Sequence, residues 1–439
     1  MSEAAALLQE LIRLDTVNPP GNETRAVELL RDYLEQNGVR CELHARVPER
    51  ANLVARIPGR GEGPRLLLLS HTDTVLADPA EWTVDPWSGE LRGGHVWGRG
   101  ALDMKGQVAA SAVAIASLAQ EGFEPAGDLI FAATADEEMG EGDAYGLEWL
   151  CDEHPEAVRA EYAVNEGAGD CVELGGHVLY LCSTAEKASS PFRLHVHGRS
   201  GHASMPSIAD NALVKAAQLV ERLAEFADEP RLELETEAFL RALAGEVPAP
   251  AQALEVARRI DRLAAEMLEP LLTMTVAPTM IEASSKRNVI PAGCQVTVDC
   301  RLLPGQEQAE AETKLRRALG EGDYDLEWIQ CQGGTRSALE SPLWDAVESF
   351  VTEIEPGAHA VPICVAGFTD SHWLRRAFGT VAYGFFPMRA MSPELAARLI
   401  HSADERIAVA DLELGVSFLR HAAQKIGGKA LPASSPRRA

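Results

Sequence analysis

The stretch LIFAATADEE, residues 129–138, decides how the rest of the chain is read. Leu129–Ala133 is an unbroken apolar run, as expected of a strand buried on both faces. Glu137 and Glu138 then stand side by side. Adjacent side chains of a strand point to opposite faces, and a buried carboxylate is costly without a partner. The pair therefore raises the question of a partner; one shared by both carboxylates would require the strand to end at or before Asp136, so that a turn carries both towards it.

Working outward, Leu53–Ile57, Arg65–Ser70 and Tyr162–Asn165 read as further strands, and Gly106–Gln120 as an apolar helix. Alternation of this kind predicts an α/β fold, a mostly parallel sheet flanked by helices. Ligands of such sheets sit at the carboxyl ends of the strands. From Lys187 the texture changes. Phe192–His197 alternates, and Asp210 is expected to cap a helix carrying Leu213, Ala216, Ala217, Val220 and Leu223 at helical spacing. Leu240–Leu268 is helical, charged and interrupted by Pro248 and Pro250. Strands at Thr273–Met280 and Gln295–Leu303, a helix at Glu310–Leu319 and a strand at Tyr324–Gln330 complete a ferredoxin-like α+β order with an insert. Apolar α/β signals resume after Pro342. The expected organisation is one domain in two segments, 1–186 and 333–439, with a smaller domain, 187–332, inserted between them. A chain of 439 residues is indeed too long for one ordinary core.

The chain has 40 basic and 66 acidic residues, a formal net charge of −26. Nucleic acids and anionic membranes select basic surfaces, so neither is an expected partner. No C-x-x-C pair occurs among the 8 cysteines, and their scatter suggests reduced, mostly buried thiols in a cytoplasmic protein. The first residues, MSEAAALLQELIRL, read as an amphipathic helix rather than a signal peptide. No apolar run is long enough to span a bilayer. The tail KALPASSPRRA is expected to be disordered.

Acids and histidines recur just after the strands. His71 and Asp73 follow LLLLS, Asp103 lies in a glycine-punctuated loop before a helix, Glu166 follows Tyr162–Asn165, and His401 opens HSADER. An imidazole that binds metal commonly grips a carboxylate with its second nitrogen, which suits His71 and Asp73. Mixed nitrogen and oxygen donors suit Zn²⁺, with Mn²⁺ or Co²⁺ as substitutes. Singly, each residue has a bland reading, since buried polar groups are usually just hydrogen-bonded. His195 and His197 form an H-x-H on one strand face, but no third ligand is evident nearby, so a solvated face is expected. Asp404 and Glu405 read as supports for His401 or as acids at a helix N-terminus.

In chain order SHTDTV, GRGALDMKG, TADEE, GHAS, NVIPAG, VDCRLLPG, GFTDS and HSADE resemble segments of the M20 metallopeptidase family. That group includes glutamate carboxypeptidases, aminoacylases, acetylornithine deacetylases and succinyl-diaminopimelate desuccinylases. The resemblance runs from about residue 5 to 425, and eight segments in order are specific where one would be weak. It implies a catalytic domain with an inserted lid, and two Zn²⁺ ions. His71 and Glu166 would end one metal site, Glu138 and His401 the other, with Asp103 bridging. It also implies a cis peptide at Asp103–Met104, Asp73 orienting His71, and Glu137 as general base to a metal-bridged water. His202 would stabilise the oxyanion, from a partner subunit in dimeric members. Asn288 and Arg301 would bind substrate, and Thr369 and Asp370 would form part of a specificity wall.

The implied substrate is a dipeptide or an N-acyl amino acid with a free carboxylate, which a guanidinium fork suits. The segment Gly333–Pro342 and the long lid insert look more like the carboxypeptidase and aminoacylase branch than the short desuccinylases. A non-catalytic relative would be expected to have lost a ligand or the base, and here none is lost.

Overall fold

The computed structural model describes residues 2–139, 144–330 and 333–428. The tail 429–439, expected to be disordered, lies outside the described residues, as does Cys331. The chain divides into two compact units, one of Met1–Thr184, Ser337–Ile363 and Thr369–Ala439, the other of Ala185–Arg336 and Cys364–Phe368.

The first unit is built on a mixed sheet. Its main path runs Arg40–Ala45, Ala51–Ile57, Leu129–Thr134, Leu66–His71, Tyr162–Asn165, Val381–Gly384, His177–Glu186 and His359–Val365. Leu129–Thr134, Leu66–His71, Tyr162–Asn165 and Val381–Gly384 are mutually parallel neighbours. Antiparallel strands flank this parallel centre. Every residue of Leu66–His71, Leu129–Thr134 and Tyr162–Asn165 is buried, so both faces are covered, as their apolar runs require. Helix Lys105–Gln120 packs against Glu3–Ile12 and Val409–Gly427. It is buried almost all round, which explains its run of alanine and valine.

The register aligns the strand ends. His71 pairs with Thr134, and Leu66 is level with both Leu129 and Tyr162. The central strand stops at Thr134, and Asp136 has φ of +68°, in the left-handed region. The strand thus ends where the paired glutamates demand. Gly384, next to Asn165, has a specific reason to lack a side chain: a Cβ there would lie 1.9 Å from the carbonyl oxygen of Glu166.

In the second unit an antiparallel sheet has the order Tyr324–Trp328, Phe192–His197, Gly293–Leu302, Thr275–Glu282. With Ala212–Ala224 and Gln308–Leu319 packed on its apolar face, this is the ferredoxin-like arrangement. Alternation along Gly293–Leu302 buries Val296, Val298, Cys300 and Leu302 and turns Asp299 and Arg301 the other way. The insert is three short helices, Leu234–Ala244, Ala253–Ile260 and Arg262–Leu268. The helix cap expected at Asp210 falls one residue later: Asn211 accepts the N–H of Leu213, while Asp210 pairs with Lys215. Either residue type caps well, so sequence alone could not separate them. Cys151, Cys182, Cys294, Cys300 and Cys364 are buried. Among the described residues no helix is long and apolar enough to cross a membrane.

Candidate functional site

Five chain segments of the first unit bring their polar residues together at the carboxyl end of the parallel strands. His71 closes one strand, Glu137 and Glu138 follow the next, and Glu166 follows a third. Asp103 comes from the loop before Lys105–Gln120, with a cis peptide at Asp103–Met104. His401 comes from the loop after Pro393–Leu399, in a left-handed conformation (φ +59°).

These side chains form two groups of potential metal ligands, His71, Asp103 and Glu166, and Asp103, Glu138 and His401. Asp103 belongs to both. Its Oδ1 lies 3.2 Å from His71 Nε2, and its Oδ2 lies 3.0 Å from His401 Nε2. His401 Nε2 is also 3.1 Å from Glu138 Oε2, and His71 Nε2 is 3.9 Å from Glu166 Oε2. Glu137 is in neither group.

Asp73, fully buried, holds the arrangement from behind. His71 Nδ1 faces the Asp73 carbonyl at 3.1 Å and its Oδ1 at 3.4 Å, which leaves Nε2 aimed at Asp103. The same carboxylate accepts the N–H of Glu137 at Oδ1 (3.2 Å) and of Glu138 at Oδ2 (3.0 Å). One side chain therefore sets both the imidazole and the turn that separates the two glutamates.

The electrostatics are those of a crowded anionic cavity. Burial, then the negative charge of Glu166, holds the proton on Glu137 well above the usual glutamate value. Burial likewise raises Glu138, and pushes Glu166 to about 8. Asp103 goes the other way: burial opposes its charge, but the two imidazoles overcome that and hold it well below the carboxylate range. Asp103 and Glu138 push His401 to about 10, and Asp103 and Asp73 raise His71 despite its burial. Such a set fits divalent cations, which would replace the protons that now balance it. Glu138 Oε1 fits too, being buried with no hydrogen-bond partner among the described residues.

A pH dependence follows. With Glu166 pushed to about 8 and His401 to about 10, the cluster without metal carries protons at neutral pH that a cation must displace. Metal uptake should release protons, and affinity should rise with pH by about tenfold per unit for each proton released. Calorimetric titration in two buffers of different ionisation heat checks this; heats independent of buffer would contradict it.

Glu405 is fully buried and is not an acid at a helix N-terminus, since that helix begins at Val409. Its carboxylate accepts from Arg99, from the N–H of Gly100 and Leu102, and from the N–H of Asp103 (3.1 Å), so it moulds the loop that presents Asp103. Asp404, also left-handed, accepts from Thr83 and steadies the His401 loop. Lys105 turns away from the cluster, donating to the carbonyls of Leu11 and Leu14. Asp370 and Thr369 precede helix Ser371–Phe378, both buried. Asp370 accepts from Thr134 Oγ1, and its charge helps raise Glu137 and Glu166. His372 is fully buried, edge-on to Trp373.

The remaining expected site residues lie in the second unit. His202 and Asn288 are exposed and adjacent: His202 pairs with Val289, and Ala203 N–H donates to the Asn288 carbonyl. His202 Nδ1 meets Ser204 Oγ at 2.7 Å. Arg301 is locked to Asp299 by two hydrogen bonds of 3.0 Å. His195 and His197 do have carboxylates beside them, contrary to expectation. Glu327 and Asp325 on the neighbouring strand approach to 2.6 and 2.8 Å. These are cross-strand pairs on a solvated face, visible only once the register is known.

The model of Peptidase family M20/M25/M40 matches residues 67–425. The succinyl-diaminopimelate desuccinylase of Cereibacter sphaeroides (strain KD131) is 28% identical over 437 residues, 95% of this chain and 97% of that protein. Aminoacylase-1 of Sus scrofa is 27% identical over 425 residues, 94% of this chain and 93% of that protein. Among solved structures, the M20 family metallo-carboxypeptidase Sso-CP2 from Sulfolobus solfataricus superposes with a TM-score of 0.75 at 18% identity, covering 97% of this chain and 99% of that one. The match to the desuccinylase extends over nearly the whole of both chains.

Proposed function

The chain belongs to peptidase family M20/M25/M40, and from that premise we propose that it hydrolyses an amide or peptide bond next to a free carboxylate, in a dipeptide or an N-acyl amino acid, with two Zn²⁺ ions. As a member of the family it is a metal-dependent hydrolase. The observation that carries the proposal is Asp103, which offers one oxygen to each of two donor groups while Glu137 stands outside both.

In this reading His71, Asp103 and Glu166 hold one ion, and Asp103, Glu138 and His401 the other. The mixed nitrogen and oxygen donors favour Zn²⁺, with Co²⁺ or Mn²⁺ as substitutes. Ions held there would supply Lewis-acid polarisation of the substrate carbonyl and a water acidic enough to lose a proton near neutral pH. Glu137 takes that proton on its carboxylate and delivers it to the leaving nitrogen. Asp73 keeps His71 oriented and fixes the Glu137 turn. Arg301 binds the substrate carboxylate through the guanidinium edge that Asp299 leaves open, Asn288 and His202 contact substrate and oxyanion, and Thr369 and Asp370 shape specificity.

The desuccinylase and aminoacylase names of two relatives support N-acyl amino acids as a second reading beside dipeptides. A panel of dipeptides, N-acetyl and N-succinyl amino acids, with Zn²⁺, Mn²⁺ or Co²⁺, separates the two. At least one class should be cleaved, with activity lost to a chelator and recovered on metal addition. No cleavage with any metal would contradict the proposal.

A homodimer through the lid domain is also part of it. Exposed Met205, Ile208, Leu213, Val214, Met280 and Ile281 of the second unit support this. Sedimentation at the mass of one chain would count against it. Mixed dimers of His202→Ala and Glu137→Gln chains would regain activity only if subunits share sites. A cytoplasmic setting fits the buried cysteines.

A further inference from the structure

The turn that aims Glu137 and Glu138 rests on residues distant in sequence. Asn18 is buried in the segment Asn18–Pro19–Pro20, beside the residues that follow His71. Its backbone N–H donates to the Thr74 carbonyl (2.9 Å), so the main chain is fixed there. Its side-chain Nδ2 donates to Asp73 Oδ2 at 2.9 Å and to Asp136 Oδ1 at 3.0 Å. Two buried carboxylates thus share one amide nitrogen, with one hydrogen for each.

The Asp136 oxygen is gripped a second time by Arg50 Nη2 at 2.8 Å. Arg50 is itself held by Glu23 through two hydrogen bonds of 2.7 Å. The result is an ordered chain of buried groups, Glu23, Arg50, Asp136, Asn18, Asp73, His71. Arg50 serves Glu23 and Asp136 and the His71 imidazole serves Asp73, while the Asn18 amide is the side-chain donor common to Asp73 and Asp136. Reversing that amide would point its oxygen at both carboxylates. The Asn18 oxygen as it stands has no partner among the described residues, so donation to the two acids is what fixes this side chain.

Both acids act on the same turn. Asp136 begins it in the left-handed conformation, and Asp73 accepts the N–H of Glu137 and Glu138. We propose that Asn18 is a positioning residue for the acid–base glutamate and its neighbouring ligand: by tying Asp73 to Asp136 it sets the angle at which the Glu137–Glu138 turn leaves the strand. The proposal rests on the assigned roles of these glutamates. Without Asn18 the two carboxylates lose their common donor and repel, and the turn opens.

The test uses Asn18→Leu, which keeps the size and removes both donors, in the full chain. In the metal-free protein, amide hydrogen exchange at Glu137 and Glu138 should speed by about tenfold or more, with Leu129–Thr134 unchanged. In the Zn²⁺-loaded enzyme kcat should fall by about 10²-fold, the scale of a misplaced reacting group, with KM within about threefold. Asn18→Leu with Asp136→Asn, which removes the repulsion and tolerates a left-handed backbone, should recover part of the loss. If Asn18→Leu folds poorly, Asn18→Ser, which can serve only one of the two acids, should give an intermediate loss and intermediate exchange. Unchanged exchange at Glu137 and Glu138 overturns the proposal. Altered exchange with unchanged kcat leaves the turn dependent on Asn18 but overturns the role assigned to the glutamates.

Discussion

Glu137→Gln is expected to lower kcat by about 10²–10⁴-fold, the range for loss of a general acid–base group, while metal content stays at two ions per chain. The substitution keeps the shape of the side chain and removes only its capacity to carry the proton. The turn should survive, because Asp73 holds residue 137 through its backbone N–H. The metals should survive, because Glu137 lies outside both donor groups. KM should change little. Elemental analysis beside steady-state kinetics checks the pair of outcomes. Full activity would remove Glu137 from the chemistry, and loss of an ion would make it a ligand instead.

Asp103→Ala is expected to have the larger effect on the metals. Every other donor serves one group, but Asp103 serves both, with its two oxygens 3.2 and 3.0 Å from the two histidines. Without it each group keeps two donors, and the remaining glutamates lose the imidazole arrangement that Asp103 organises. His401 is the more vulnerable histidine: its side chain is 52% exposed and Asp103 is one of its two acidic partners. Metal content should fall below one ion per chain at stoichiometric Zn²⁺. Activity should fall by about 10³-fold or more, since the ligands act as one unit. His401→Ala should be milder, losing the ion of its own group first. Two tightly held ions in Asp103→Ala would refute the shared-carboxylate reading.

Much of this was legible in the sequence because local rules applied. An all-apolar run of strand length bounded by polar residues identified Leu129–Thr134, and the paired glutamates marked its end. The alternation of Gly293–Leu302 placed Asp299 with Arg301 because a strand has period two. Groups defined by long-range contact were not legible. Glu405 lies 302 residues from Asp103 in sequence, and Asn18 lies 118 from Asp136. Neither spacing carries a periodic signal. The VNPPG context of Asn18 announces a turn, but nothing in it says that the amide will stand between two acids. The partners of His195 and His197 were missed for a related reason, since cross-strand neighbours depend on register.

The most direct test of the central claim is a crystal structure of the Zn²⁺-loaded protein with anomalous scattering recorded at the zinc edge. Two peaks are predicted in each chain, one among His71, Asp103 and Glu166, the other among Asp103, Glu138 and His401, with Glu137 bonded to neither. A single peak, or peaks away from Asp103, would contradict the account.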